Sequence, residues 1–173
     1  MTEANTGIRS EDTGKVKMNY TFYRGTDTYS DGEIEDRMLE IARSGRDFEE
    51  ELIRENDWAL LYHLSPIREN LLEWYDFGKG KSLLEIGAGC GALTGLFCRK
   101  LERVVAVDLS RKRSLINAAR NREAENLEIL VGNFEDIRME EKFDYVTLIG
   151  VLEAGDPYFN PNLSLDSPMF DPR

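Results

Sequence analysis

Three glycines in the segment LLEIGAGCGALT, residues 83–94, constrain the fold more than any other feature of this 173-residue sequence. Gly87, Gly89 and Gly91 follow a short apolar run and precede a stretch with helical spacing, so they predict a tight turn between a strand and a helix. At such a turn, backbone N–H groups can approach a bound ligand closely. The first expectation is therefore a strand–helix unit that binds a ligand.

Short apolar runs alternate with helical patterns on both sides of this turn. They predict strands at 82–87, 104–109, 127–132 and 143–150, and helices at 92–101 and 111–121. Such alternation is typical of a parallel sheet with helices packed against it, and strands that are apolar on both faces fit that arrangement. We therefore predict an α/β fold with a Rossmann-like parallel sheet.

An acidic residue stands at the end of the second predicted strand. Asp108 follows Gly87 by about 20 residues, where a carboxylate can accept hydrogen bonds from both hydroxyls of an adenosine ribose. This pattern fits two kinds of cofactor, because Gly87, Gly89 and Ala92 also match the G-x-G-x-x-G/A spacing of dinucleotide-binding domains.

Glu85 helps to separate the two cofactors. A dinucleotide would place a doubly charged pyrophosphate at the turn, and a carboxylate just before the first glycine would repel it. S-adenosylmethionine has no phosphate there; its methionine end carries an ammonium group and its sulfur is cationic. A carboxylate at the strand end therefore favours S-adenosylmethionine.

Four segments, in order, resemble the motifs of class I S-adenosylmethionine-dependent methyltransferases. LLEIGAGCGALT resembles the first motif, an acidic residue followed by G-x-G-x-G, and VVAVDLS resembles the second. GNFEDI (132–137) and FDYVTLIGVLE (143–153) resemble the third and fourth. The resemblance implies a methyltransferase of that class, with S-adenosylmethionine as its cofactor.

The resemblance also implies cofactor contacts for single residues. Asp108 would bind the ribose, and Leu109 would pack on the adenine. Asn133 stands where the family usually has Asp; its amide oxygen can still accept from the adenine amino group, beside the backbone N–H of Phe134. The fourth strand would end beneath the methionine moiety at about Gly150. The methionine end would be held by Glu85, Gly87, Gly89 and Gly91.

The sequence identifies neither a catalytic residue nor a metal site. His63 is the only histidine, and Cys90 and Cys98 do not have the spacing of zinc ligands. The same scarcity of histidine argues against Ser-His-Asp and Cys-His chemistry. Methyl transfer from a sulfonium depends largely on positioning, so a general base is not required by every acceptor.

Charge and composition limit the partners. The formal net charge is −11, which disfavours a nucleic-acid partner because phosphate binding relies on Lys and Arg. The first twenty residues lack the apolar core of a signal peptide, and no apolar run approaches the ~20 residues of a membrane span. We expect a cytoplasmic protein without a membrane partner.

The regions outside the sheet differ in composition. Residues 1–32 predict an extended arm, 33–80 a helical N-terminal region, 81–154 a partial S-adenosylmethionine-binding core, and 155–173 a Pro-rich tail. In the helical region, one helical face holds Ile34, Met38, Ile41 and Ala42. A further helix is expected after Pro66, with inward-facing positions at Ile67, Leu71, Leu72 and Trp74.

The acceptor is indicated only loosely. YHLSPIRENLLEWY (62–75), together with GVLEAGDPYF (150–159), is similar to bacterial methyltransferases associated with surface-polysaccharide glycosyltransferases. That similarity implies a saccharide or another small molecule as acceptor. Tyr62, His63 and Arg68 belong to the first of these runs. The resemblance allows a helix over the cofactor at this place, but packing is the favoured interpretation for all three.

Two other functions stay open at this point. One is a nicotinamide-dependent oxidoreductase, and the other is a cofactor-binding fragment without activity. The family carries seven strands in the order 3-2-1-4-5-7-6, whereas only four strands are predicted here, so the domain is expected to be cut beside the fourth strand. An open sheet edge at that strand would favour self-association.

Overall fold

A computed structural model describes residues 12–27, 32–45, 48–55 and 57–151 of the chain. The strands in these ranges are β1 (Lys17–Asn19), β2 (Ser82–Ile86), β3 (Arg103–Asp108), β4 (Leu127–Val131) and β5 (Tyr145–Leu148). The α-helices are α1 (Glu33–Ser44), α2 (Phe48–Glu55), α3 (Trp58–Leu64), α4 (Thr94–Lys100) and α5 (Arg111–Arg120). Two 3₁₀ helices span Pro66–Leu71 and Phe134–Asp136. The predicted Pro-rich tail, 155–173, lies outside the described residues.

The five strands form one parallel sheet in the order β1-β4-β3-β2-β5. The four strands predicted from the sequence occupy the order β4-β3-β2-β5, which is the 3-2-1-4 order expected for the family. The α/β, Rossmann-like fold class is therefore confirmed. All four carboxyl ends meet at one edge of the sheet, where ligands of such folds bind.

The central strands are buried because helices or loops cover each face of the sheet. On one face, Val104 and Ala106 of β3 pack in a core cluster with Phe97 of α4 and Ala118 of α5. On the other face, Leu84, Ile86, Val105 and Val107 pack with Ile137, and the partly buried Phe134, Met139 and Phe143 complete that cluster. Residues of the segment between β4 and β5 thus cover the second face.

Strand β1 is the element that the sequence pattern does not predict. Its three residues, KMN, hold a single apolar side chain, so period-two alternation cannot be recognised. The strand lies beside β4, with Lys17 in register with Glu128, and the two side chains form an ion pair at 3.2 Å. Val16, just before the strand, is buried in the main core cluster. Part of the predicted arm therefore belongs to the sheet.

Helix α1 buries Met38, Ile41 and Ala42 of the predicted face against α5. A fully buried Glu35 also lies on this helix and is paired with Arg113 of α5, with 2.8 Å between Nε and Oε1. This ion pair joins the helical N-terminal region to the sheet-packed helix.

The helix expected after Pro66 is wrong in type and in burial. Pro66–Leu71 is a 3₁₀ helix, and Ile67, Leu71 and Trp74 are 69%, 55% and 76% exposed. With three residues per turn instead of 3.6, positions 67 and 71 no longer share a face, so they cannot pack inward together. Leu72 is partly buried against the main core cluster.

Neither a membrane span nor a metal cluster is found in the described parts of the chain. No helix there is long and apolar enough to cross a bilayer. No group of three or more potential metal ligands is present within the same ranges.

Candidate functional site

The glycine turn continues directly from β2. The backbone N–H groups of Gly87 and Ala88 donate to the carbonyl oxygen of Val107, at 2.9 and 3.0 Å, so the neighbouring strand holds the start of the turn. Gly87 and Gly89 have φ values of 71° and 53°, in the region that favours glycine. A Cβ on Gly89 would meet no atom within 4 Å, so the turn leaves open space at this residue.

A cleft with a volume of about 320 Å³ opens beside this turn. One side is formed by the turn itself, from Gly87 to Cys90, and by Glu85 at the end of β2. Tyr62, His63 and Arg68 line it from the helical N-terminal region, and Gly150 lines it after β5. The structure therefore brings four predicted cofactor residues to one cleft: Glu85, Gly87, Gly89 and Gly150.

Arg120 of α5 fixes α3 against the glycine turn. Its guanidinium donates to the carbonyl oxygens of His63 and Leu64, at 2.7 and 3.3 Å, and to that of Cys90 at 3.0 Å. Because the last carbonyls of a helix lack partners inside the helix, these bonds also satisfy the end of α3. One side chain thus sets the spacing between the two sides of the cleft.

Glu85 is a buried carboxyl group that lines the cleft. Its Oε2 accepts a hydrogen bond from Thr94 Oγ1 at 2.6 Å. Burial raises the pKa of Glu85 to about 8; nearby Asp108 acts in the same direction, whereas the Thr94 bond and Arg120 oppose it. A cation placed in the cleft would reverse this penalty by favouring the carboxylate.

Asp108 connects the end of β3 to the glycine turn. Its Oδ2 accepts from the backbone N–H of Gly89 at 2.8 Å, and its Oδ1 accepts from the N–H of Ser110 at 2.9 Å. Burial raises the pKa of Asp108, although these two backbone hydrogen bonds act against that rise. The carboxylate is therefore held in one orientation beside Gly89, with further lone pairs on both oxygens.

The predicted adenine contacts lie at the next strand end, outside the lining of the cleft. The N–H of Gly132 donates to the carbonyl oxygen of Asp108 at 2.9 Å, so the segment after β4 begins beside the segment after β3. Asn133 is exposed, and its Oδ1 accepts from the N–H of Glu135 at 3.0 Å, which caps the short 3₁₀ helix that Phe134 begins. Leu109 directly follows Asp108 and is half-buried.

Gly91, predicted to hold the methionine end, does not line the cleft. Its φ is 77°, and a Cβ there would overlap the side-chain oxygen of Asn117 on α5. The third glycine therefore makes room for a side chain of the protein itself. The need for glycine at this position comes from a contact between distant parts of the chain. The spacing of the glycines alone therefore cannot show whether Gly91 makes room for a ligand or for another side chain.

Four residues line the cleft although the sequence predicts no cofactor contact for them. Arg113 had no predicted role, and Tyr62, His63 and Arg68 were interpreted as packing residues; all four line the cleft. The Arg68 guanidinium lies 4.6 Å from the centre of the Tyr62 ring, and it forms no ion pair with any described residue. No local pattern marks these side chains, because the fold of α3 over the turn creates their position.

The N-terminal arm reaches the same sheet edge. The carboxylate of Asp27 accepts from the N–H groups of Arg111 and Lys112, at 2.8 and 3.0 Å, and from Ser110 Oγ at 3.1 Å. It thus lies at the start of α5, close to the turn that follows Asp108.

These features together suit a ligand with a nucleoside at one end and an amino acid at the other. A carboxylate at one strand end can accept from ribose hydroxyls, as Asp108 is placed to do. Glu85 can become a carboxylate when a cation is placed beside it, and Arg68 carries a positive charge, so the two side chains complement the ammonium and carboxylate of an amino acid. A pyrophosphate at the turn would instead meet the Glu85 carboxyl group.

Comparison with known proteins gives matches to methyltransferases. Residues 83–160 match a family described as a methyltransferase domain. Over 80 residues, 44% of this chain, it is 32% identical to a malonyl-[acyl-carrier protein] O-methyltransferase of Priestia megaterium. The chain covers only 28% of the length of that curated relative.

The solved structures that this chain matches include two methyltransferase complexes. One is phosphoethanolamine N-methyltransferase 1 of Haemonchus contortus with phosphoethanolamine and S-adenosylhomocysteine, at 19% identity and a TM-score of 0.46, covering 66% of this chain and 24% of that one. The other is the N-methyltransferase NodS of Bradyrhizobium japonicum with S-adenosylhomocysteine, at 20% identity and a TM-score of 0.44, covering 61% and 54%.

Proposed function

Because this chain carries, at residues 83–160, a methyltransferase domain of the class I S-adenosylmethionine-dependent type, we propose that it binds S-adenosylmethionine beside the glycine turn and transfers the methyl group to an acceptor. S-adenosylmethionine is the cofactor of this class, and when bound it supplies a methyl group on a cationic sulfur. The arrangement that carries the proposal is the open turn at Gly89 between two acidic groups, the buried Glu85 and the partly buried Asp108.

The residues present fit this cofactor. Gly89 leaves open space where a larger side chain would project, and Asp108 lies next to it with its carboxylate oriented by two backbone N–H groups. Glu85 presents a carboxyl group to the cleft, where the methionine ammonium would stabilise its ionised form. Arg68, which has no carboxylate partner among the described residues, would bind the methionine carboxylate.

The adenine contacts remain part of the proposal. Asn133 and Phe134 follow β4 and lie beside the strand end that carries Asp108. The Asn133 oxygen already accepts one backbone hydrogen bond and keeps a second lone pair for the adenine amino group. Leu109 would contact the adenine ring, because it directly follows the ribose-binding carboxylate.

The acceptor that we propose is a small molecule, with a saccharide as the first candidate. The support is the resemblance of the run at 62–75 to methyltransferases associated with polysaccharide synthesis. Tyr62, His63 and Arg68 of that run line the cleft, so residues of the same segment reach the space where an acceptor would approach.

Calorimetric titration tests cofactor binding. The purified chain should bind S-adenosylhomocysteine and not NAD, because the ammonium group of the former favours the ionised form of the buried Glu85, whereas a pyrophosphate offers Glu85 no cation. Asp108→Ala should weaken S-adenosylhomocysteine binding by about 1.5–3 kcal/mol through lost charge-assisted hydrogen bonds, and Asp108→Asn should weaken it less because one oxygen acceptor remains. Arg138→Gln, at an exposed position outside the cleft, serves as the control. Binding of NAD alone contradicts the proposal.

The amino-acid end and the acceptor need separate measurements. Arg68→Gln should lower the affinity for S-adenosylhomocysteine while leaving that for 5′-methylthioadenosine, which lacks the amino acid, unchanged. Transfer of a labelled methyl group should then be assayed with nucleotide sugars and with malonyl-[acyl-carrier protein]. Labelling of a sugar supports the saccharide acceptor; labelling only of the carrier protein replaces it. Cofactor binding without transfer to any acceptor supports a binding fragment without activity.

A further inference from the structure

A chain of buried polar side chains runs from α5 through α4 to Glu85. Asn121 Nδ2 donates to Asn117 Oδ1 at 2.8 Å, Asn117 Nδ2 donates to Thr94 Oγ1 at 3.0 Å, and Thr94 Oγ1 donates to Glu85 Oε2 at 2.6 Å. The Thr94 and Asn117 side chains are fully buried. Buried polar groups are costly unless they are paired, so this set is held together as a unit.

The direction of the hydrogen bonds follows from the chemistry of the groups. An amide nitrogen only donates, so the Thr94 hydroxyl must accept from Asn117 and is left with a single proton to donate. That proton goes to Glu85 Oε2. The chain therefore determines which carboxylate oxygen is held by the protein, and no second hydrogen bond to Glu85 comes from the described residues.

Gly91 makes this arrangement possible. Any larger residue there would place its Cβ on the Asn117 side-chain oxygen, and its positive φ is also unfavourable for other residues. The third glycine of the turn is thus matched to Asn117 on another helix, while Gly89 is the glycine that faces open space.

We propose that Thr94 and Asn117 are positioning residues, which orient the Glu85 carboxylate so that its free oxygen binds the ammonium group of the cofactor. This inference rests on the proposed function, since it assigns a role at the same cofactor site. It concerns residues that do not themselves line the cleft and that act through Glu85.

The electrostatics of Glu85 support the proposal. The charged groups that act on its pKa are Asp108 of β3 and Arg120 of α5. The other charged or titratable side chains that share the cleft with it are Tyr62, His63, Arg68, Cys90 and Arg113. Burial raises the pKa of Glu85 to about 8, so the group holds a proton at neutral pH when no cation is near. Binding of an ammonium group should ionise it and release about one proton per bound ligand at pH 7.

The test compares a variant that lacks the hydroxyl with one that keeps it. Thr94→Val preserves the shape of the side chain but removes the hydrogen bond to Glu85, and Thr94→Ser retains the hydroxyl. Calorimetry with S-adenosylhomocysteine should show about a tenfold loss of affinity for Thr94→Val and little change for Thr94→Ser. Affinity for 5′-methylthioadenosine, which has no ammonium group, should be the same in all three proteins.

The pH profile separates positioning from a general structural role. In the unsubstituted protein, S-adenosylhomocysteine affinity should rise between about pH 6 and 8, as ionised Glu85 becomes available. Thr94→Val should move this rise to higher pH, because the hydroxyl bond that lowers the pKa of Glu85 is lost. The profile for 5′-methylthioadenosine should stay flat.

Several outcomes overturn the inference. Equal losses for both ligands in Thr94→Val indicate a disturbed fold, and a Thr94→Ser loss as large as that of Thr94→Val removes the role of the hydroxyl. The inference is also overturned if the affinity of the unsubstituted protein for S-adenosylhomocysteine does not change with pH and binding releases no proton. This measurement does not depend on whether a variant folds. If the unsubstituted protein does not bind S-adenosylhomocysteine at all, the proposed function itself is overturned. That result differs from the outcomes above, which overturn only the positioning role.

Discussion

At the scale of single residues, the ionised form of Glu85 opposes folding. Burial raises its pKa to about 8 in the folded chain, against 4.5 for an unperturbed Glu. Between these two values the folded state binds the proton and the unfolded state has lost it, so this group lowers the free energy of unfolding as pH rises. A residue that costs stability at neutral pH is typical of a binding site.

Glu85→Gln should therefore stabilise the protein at pH 8 relative to pH 5. The free energy of unfolding of the variant, compared with the unsubstituted protein, should gain roughly 3 kcal/mol between these two pH values. Urea unfolding at both pH values measures it. Glu102→Gln, at an exposed position, is the control and should follow the unsubstituted protein. Parallel pH dependence in the Glu85 variant contradicts the buried, proton-binding state of Glu85.

Residue identities in the turn were predictable because backbone geometry constrains them locally. Gly87, Gly89 and the two acidic residues stand at fixed distances from predicted strands, and spacing alone marks them. Asn117 could not be found in this way, because its role depends on α5 lying across the glycine turn. The same holds for Arg68, which reaches the cleft only because its segment folds over the glycine turn.

At the scale of elements, the start of α5 is capped by a residue from the N-terminal arm. Asp27 accepts hydrogen bonds from two N–H groups in the first turn of α5, where the helix dipole favours a negative charge. Partial burial acts to raise the pKa of Asp27, but the backbone hydrogen bonds from Lys112 and Arg111 outweigh it, so the pKa is lowered. Its contribution to stability is present above the unfolded pKa and is lost as pH falls through the folded value.

Asp27→Ala should destabilise the chain by about 1 kcal/mol at pH 7, as expected for loss of a helix cap. Asp27→Asn keeps the oxygen acceptor and should lose less. The difference between the Ala variant and the unsubstituted protein should shrink at acidic pH, where Asp27 is protonated. Thermal unfolding across this range gives the comparison, and a destabilisation that persists undiminished at low pH disagrees with a charged cap.

Strands β2, β3 and β4 were predictable because their apolar runs are buried on both faces, whereas elements outside the centre of the sheet were less so. Strand β1 offers one apolar side chain, Met18, and pairs only because β4 presents a free edge to it. The segment after Pro66 has apolar spacing that suits an α-helix, yet it forms a 3₁₀ helix with those side chains exposed. The pairing of β1 and the 3₁₀ conformation after Pro66 both depend on contacts with distant parts of the chain, which a short stretch of sequence does not contain.

At the scale of the molecule, β5 pairs with β2 on one side and has no strand on its other side among the described residues. Val146 in this strand is 44% exposed. None of the four residues of β5 is charged, and no other described strand pairs with its outer side; an edge strand of this kind is prone to pair with another chain. We propose self-association of this chain through β5.

Sedimentation velocity over a range of concentrations tests that proposal. The unsubstituted chain should self-associate, and Val146→Lys should weaken the association by about tenfold, because a lysine on an edge strand disfavours pairing. Ile53→Lys replaces another exposed apolar side chain, on α2, and should leave the association unchanged. A monomer at every concentration rules out the proposal, and equal effects of both lysines point to a different contact surface.

The pairing of β1 with β4 has a consequence for the order in which the chain folds. Lys17 of β1 pairs in register with Glu128 of β4, and β2 and β3 lie between them in the chain. The partner strand of β1 therefore leaves the ribosome only after most of the sheet has been synthesised. Contacts between residues so distant in sequence form slowly, because a long loop must close before they add any stability. During synthesis Val16 and Met18 therefore stay exposed until β4 is available, and we expect β1 to dock after β2, β3 and β4 have paired.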